Sequence, residues 1–196
     1  MKKIVSLILV TILCVWSLCL FNSCKAKGDH ALDDFSAQLE DSDNNFTVTV
    51  EIEDVPLLGD MRITTHYDGK KQHTPAAFMT NEQYREYKLF ATYVYEKNSD
   101  GVWKKNKSDD VPEKNYLDSD EAKILLNSEN YDKTPYAPGK YRQRAGSDMG
   151  EFKNAVVYIM DDAVIITAIR MIDEAECRYS VRIWNIGQVQ ITLPQT

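Results

Sequence analysis

The chain has 196 residues, 30 acidic against 23 basic side chains for a net charge of −7, and 43% apolar residues. A surface of that sign repels polyanions, which excludes a nucleic-acid-binding role. No glycine-rich phosphate loop, nucleophile elbow or metalloprotease motif occurs, so the sequence points away from an enzyme and calls for no cofactor.

Met1, Lys2 and Lys3 form a positive start, and every residue from Ile4 to Phe21 is apolar or a small polar Ser or Thr, the pattern of a signal h-region. The run also reaches the roughly 18 residues that a spanning helix needs. Its ending decides between the two. Phe21, Asn22, Ser23 and Cys24 place a small residue just before a cysteine, which resembles the lipobox of bacterial lipoproteins. The resemblance implies cleavage before Cys24, acyl chains of the palmitate kind on the new terminus, and an address on the extracytoplasmic face of a bacterial cell envelope. Phe21 departs from the Leu usual in that motif. Cys14 and Cys19 are poorer sites because Leu13 and Leu18 are too large to precede a cleavage point. The expected organisation is a signal peptide over 1–23, a lipidated tether over 24–30 and a single domain over 31–196. Its membrane partner is reached through acyl chains, each buried methylene contributing roughly 0.8 kcal/mol. Cleavage removes two lysines and no acid, so 21 basic residues face 30 acidic ones at a net charge of −9. Cys177 is then the one cysteine in the domain, and a buried small hydrophobe is its expected role.

"ALDDFSAQL", Ala31 to Leu39, has helical spacing with acids early, and predicts a short amphipathic helix. "FTVTVEIEDV" alternates, with Phe46, Val48, Val50 and Ile52 facing one way. In the next run Met61, Ile63, Thr65 and Tyr67 share a side, and Asp68-Gly69 is a hairpin signal. Pro75 compromises the return strand. Tyr87, Leu89, Ala91, Tyr93 and Tyr95 then fall in one phase, before a turn through Asn98 to Gly101 leads into Trp103. Asp118 with Glu121 reads as a cap for a helix over 119–128. A proline- and glycine-rich loop follows, with one short strand near Lys140 to Arg144. Three long strands complete the chain. The last, from Ala175 to Pro194, is broken at Gly187 and has Cys177, Tyr179, Val181 and Ile183 in one phase; the phase of 163–171 is ambiguous. The expected class is α+β, mainly β: seven to nine antiparallel strands in a curled sheet, an incomplete β-barrel, wrapping one or two short helices.

The order helix, "NNFTVTVEIED", "RITTHYDGKK", "YVYEKNSDGVWKK", helix, "FKNAVVYIMDDAVIITAI" and "YSVRIWNIGQVQITLP" resembles the LolA-like and LppX-like superfamily of envelope lipoproteins over nearly the whole mature chain. That resemblance implies a half-barrel holding an acyl chain or other apolar ligand. Val48, Val50, Ile52, Met61, Ile63, Tyr87, Leu89, Tyr93, Tyr95, Val157, Ile159, Tyr179, Val181 and Ile183 are the candidate lining. Plain core packing is the competing role for the tyrosines. The alternative function is a tethered protein-interaction or sensor domain with a solid core and an envelope protein as partner. His66 and His73 flank the hairpin turn and are placed to meet across it; with His30 they are the only candidate imidazole ligands, and no third ligand is specified, so no metal site is expected. The acid pairs Asp109-Asp110, Asp161-Asp162 and Asp173-Glu174 read as solvated turns.

Overall fold

The computed structural model describes residues 30–77, 80–89, 91–108 and 115–196; the expected signal peptide, Cys24, the tether to Asp29 and the pair Asp109-Asp110 lie outside the described residues. No helix among the described residues is long and apolar enough to cross a membrane.

Helix α1 (Ala31–Asp41) buries Leu32, Phe35 and Leu39 on one stripe and keeps Asp33 and Asp34 in its first turn, where their charge suits the helix dipole. His30 is its cap: Nδ1 accepts the Leu32 N–H at 3.1 Å. Ten strands follow among the described residues: β1 (Asn45–Val55), β2 (Gly59–Asp68), β3 (Lys71–Thr74), β4 (Gln83–Lys88), β5 (Ala91–Lys97), β6 (Trp103–Ser108), β7 (Lys140–Arg142), β8 (Phe152–Ile159), β9 (Val164–Ile172) and β10 (Ala175–Trp184). They form one sheet in the order β6-β5-β4-β3-β2-β1-β10-β9-β8-β7, antiparallel at every pairing. Within β1 to β6 and within β7 to β10 each strand neighbours the next in sequence, and β10 returns beside β1. The outer strands, β6 and β7, do not pair, so the sheet is not closed into a barrel. This is the mainly β, α+β architecture expected from the alternating runs, with more strands than the sequence reading counted.

The turns follow local chemistry. Gly69 takes a left-handed φ of 56° after Asp68, and β9 turns into β10 through Asp173 and Glu174, at φ 47° and 67°. Positive φ at both central residues matches the right-handed twist of hairpin strands. Pro75 ends β3 after four residues, since it has no N–H to give the ladder. Lys104, Lys105 and Lys107 on β6, and Lys140 and Arg142 on β7, put cations on both open edges, a pattern that discourages pairing with another chain.

Two expectations are corrected. The helix placed over 119–128 is shorter: α2 spans Asp120–Leu125, and its cap is Ser119, whose Oγ accepts the Ala122 N–H at 3.1 Å. Asp118 is already committed to a 3₁₀ turn, Tyr116–Asp118, capped by Asn115. The last strand stops at Trp184, because Asn185 and Gly187 at φ 55° and 71° turn the chain off the sheet. Side chains then hold the tail. Asn45 Nδ2 donates to the Val189 carbonyl at 2.8 Å, the Val189 N–H returns to Asn45 Oδ1 at 2.7 Å, and the Ile191 N–H reaches Asp68 Oδ2 at 3.0 Å.

The core lies between α1, the segment carrying α2, and the β1, β10, β9 and β8 half of the sheet. Leu32, Phe35 and Leu39 meet Phe46, Val48, Phe152, Val157, Val164, Ile166, Val181 and Ile183, with Leu125, Tyr131 and Met149 packed into the same cluster. The ambiguous run resolves here: Val164, Ile166 and Ala168 are buried, while Ile165, Thr167 and Ile169 face the other side. Cys177 is fully buried, and its Sγ donates to the Asp54 carbonyl at 3.5 Å.

Candidate functional site

The residues expected to line a cavity do not share one environment. Val48, Val157, Tyr179, Val181 and Ile183 sit at 3% exposure or less, packed directly in the cluster under α1. Val50, Ile52 and Ile159 are half-buried at its margin, and Met61 and Ile63 extend that margin onto β2 as cross-strand partners of Ile52 and Val50. The aromatic phase is corrected outright. Tyr87 ends β4 and Tyr93 and Tyr95 lie on β5, with the turn between them; Tyr87 pairs with Thr92, and Tyr93 and Tyr95 pair with Glu86 and Tyr84. The alternation that seemed continuous is interrupted, so Tyr87 points to the helix side of the sheet and Tyr93 and Tyr95 to the opposite side. Leu89 lies in that turn at 86% exposure.

Beyond Met61 and Ile63, the helix-side face of the sheet becomes polar. Register places Thr65, Gln72, Thr74, Gln83, Arg85, Thr92 and Val94 there. The array is hydrogen-bonded within itself: Tyr87 Oη donates to Gln72 Oε1 at 2.8 Å, Thr65 and Thr74 hydroxyls meet at 3.2 Å, and Arg85 Nε donates to Gln83 Oε1 at 3.0 Å. An acyl chain gains nothing from such a wall.

One carboxylate latches α2 to the sheet. Glu121 Oε1 accepts the hydroxyls of Tyr179 and, at 3.3 Å, Tyr116, while Arg170 donates to Oε2 at 3.1 Å and to Glu151 at 3.3 Å. Burial, and then the negative charge of Glu121 beside it, raises the Tyr116 phenol far above its ordinary range. Tyr179 is raised likewise, by burial, then by Tyr116 and Glu121. Both phenols stay protonated as donors, and with Arg170 they hold the Glu121 carboxylate in a hydrogen-bonded node between α2 and the sheet.

The opposite face carries neither helix. His66 and His73 do meet across the β2–β3 hairpin, rings 5.7 Å apart, and His73 stacks on Tyr84 at 4.1 Å, which meets Trp103 edge-on at 5.2 Å. His66 Nδ1 contacts Thr47 Oγ1 at 3.0 Å and His73 Nε2 contacts Glu82 at 3.3 Å, while His30 is engaged at the α1 cap. Burial, and then the charge of His73, lowers the His66 imidazole below its ordinary value. Lys105 lies 4.3 Å from the Tyr93 ring centroid and 5.1 Å from that of Tyr95, and Lys97 lies 4.8 Å from that of Trp103, so cations cap this aromatic ladder. Neither a family model nor a curated protein matches the chain. On the other half of the same face two open clefts lie side by side and share Asn154. One, of about 620 Å³, is lined by Glu51, Glu53, Thr167, Ile169, Arg178 and Ser180; the other, of about 510 Å³, by Arg142, Arg144 and Lys153 among others.

Sequence reasoning missed these clefts because their walls come from strands far apart in the chain. The available signal was the outward phase of Thr167 and Ile169, and "AVIITAI" gives no phase by itself.

Proposed function

We propose that this chain is a membrane-tethered, extracytoplasmic binding domain without enzymatic activity, whose core is solid and whose recognition surface is the sheet face opposite α1. The observation that carries this reading is the fate of Val48, Val157, Tyr179, Val181 and Ile183. Side chains from α1 fill the place where a ligand would lie against them. An acyl chain there would have to displace Leu32, Phe35 and Leu39, and the neighbouring half of that face is polar. Anchoring through acyl chains at Cys24 is part of the proposal and rests on the lipobox resemblance. Kinship with the LolA-like and LppX-like superfamily is proposed on the same footing; an unclosed antiparallel sheet with a helix across one face agrees with it.

An envelope protein is the proposed partner. Its test is photo-crosslinking in cells with benzoylphenylalanine at Thr167, on the open face, and at Ala37, on the exposed side of α1. A discrete adduct from Thr167 with none from Ala37 is expected. Absence of an adduct from Thr167, or an equal one from Ala37, would overturn the assignment of the face.

A further inference from the structure

The cleft at the β7 edge has a composition at odds with the rest of the molecule. Arg142 lies on β7 opposite Val156, Arg144 in the loop that follows, and Lys153 on β8 opposite Ile169, which places Arg142 and Lys153 on the open face. Gln143, Ala145, Gly146, Asn154, Ala155 and Val156 complete the lining, and no carboxylate is among them. The chain as a whole has more acids than bases, and Arg62, Arg170 and Arg178 each engage a glutamate within 3.3 Å. Arg142, Arg144 and Lys153 have no ion pair among the described residues. Clustered cations repel one another unless an anion lies between them.

The walls are held in place by the backbone. The β8 ladder breaks register between Lys153 and Val156, with Asn154 at φ 55°. Gln143 locks that bulge from across the cleft: its N–H donates to the Ala155 carbonyl at 2.7 Å, and its side-chain oxygen accepts the Ala155 N–H at 3.1 Å. The Arg144 N–H reaches the Asn130 carbonyl at 2.8 Å, and its own carbonyl accepts both the N–H and the Oγ of Ser147, at 3.1 and 2.9 Å. The Arg142 guanidinium lies 4.1 Å from the Tyr136 ring centroid, which fixes its direction. Two guanidiniums and an ammonium on a pinned frame suit a tetrahedral oxyanion, since guanidiniums bind such groups through paired donors. The net negative charge does not oppose this at contact, because charges beyond about 8 Å are screened at physiological salt.

We propose that the cleft formed by Arg142, Arg144 and Lys153 binds a phosphate-type anionic group. A phospholipid headgroup and a free phosphate ester carry this same chemistry. The site stands apart from the proposed protein partner: crosslinking at Thr167 reports on the partner, and phosphate binding reports on the cleft.

The test is titration of the full-length chain, in an uncharged detergent at physiological ionic strength, with inorganic phosphate, followed by calorimetry and ³¹P line width. The double variant Arg144→Gln/Lys153→Gln removes two exposed cations whose side chains make no hydrogen bond or ion pair among the described residues. Arg182→Gln, on the same face but outside the cleft, is the control. Saturable binding that weakens at least tenfold in the double variant and less than twofold in the control is expected. Absence of saturable binding, an unaffected double variant, or an equal loss in the control overturns the proposal. Competition then assigns the source. Displacement by vesicles containing phosphatidylglycerol, and not by pure phosphatidylcholine, upholds the cleft with a headgroup as its ligand; displacement by neither upholds it with a soluble phosphate.

Discussion

Replacing Leu39 by alanine distinguishes a core helix from a lid. Leu39 is 1% exposed and packs in the cluster that joins α1 to the sheet. At about 0.8 kcal/mol per buried carbon group, the lost transfer energy is roughly 2.4 kcal/mol. The space left under a helix held at both ends adds a cavity term, so the expected loss is about 3 kcal/mol, inside the ~2–5 kcal/mol span of buried Leu→Ala changes. With a urea m-value of about 2 kcal/mol/M, the unfolding midpoint of the chain from Lys25 onward should fall by roughly 1.5 M. Tryptophan fluorescence against urea reads this directly. A loss under about 1 kcal/mol, with an unchanged m-value, would mean that α1 lifts easily from the sheet. The reasoning for a solid core would then be refuted.

Three further outcomes follow from the same packing. Glu121→Ala strands the Tyr116 and Tyr179 hydroxyls and one side of Arg170, and should cost about 2–3 kcal/mol in chemical denaturation, with Glu121→Gln milder because it keeps an acceptor; equal effects from the two would show that the hydrogen bonds are not what matters. Gly139→Ala needs a left-handed φ of 66° and drives a Cβ into the Ile159 carbonyl oxygen, so a loss of at least about 2 kcal/mol is expected, and a neutral result would contradict the edge geometry. Because burial and His73 lower the His66 imidazole, the unfolded chain binds the extra proton more readily than the folded one. Stability should be at its full value above the ordinary value of 6.5 and fall as pH drops below it, and His66→Gln should flatten that dependence between pH 7.5 and 5.5 by about one proton's worth at most; an unchanged slope in the variant would remove His66 as its source.

Much of the fold was legible in single residues. The alternation of Phe46, Val48, Val50 and Ile52 set the buried phase of β1. Asp68-Gly69 marked the β2–β3 hairpin, which turns through Gly69 and Lys70, and Leu32, Phe35 and Leu39 gave the inward stripe of α1. What failed did so where two local rules competed. Tyr87 to Tyr95 keeps a period of two across a turn, so periodicity alone hid a reversal that puts Tyr87 and Tyr93 on opposite faces. Ser119 and Asp118 are both good caps, and the 3₁₀ turn capped by Asn115 decided between them. The tail after Trp184 looks like a strand but satisfies its backbone through Asn45 and Asp68, a pairing over a long sequence separation that no local pattern encodes. The site was the least readable part. Burial beneath α1, which turns would-be lining residues into core, depends on where a helix docks, and the basic cleft depends on a bulge locked by Gln143.

The most direct test of the solid core is native mass spectrometry of the Arg144→Gln/Lys153→Gln chain from Lys25 onward, whose cleft at the β7 edge no longer offers its cations to a headgroup, after incubation with membrane lipids and followed by organic extraction. The bare protein mass, with no lipid in the extract, is expected. One equivalent of an extractable acyl lipid per chain would contradict it, and would place a ligand where Leu32, Phe35 and Leu39 now lie.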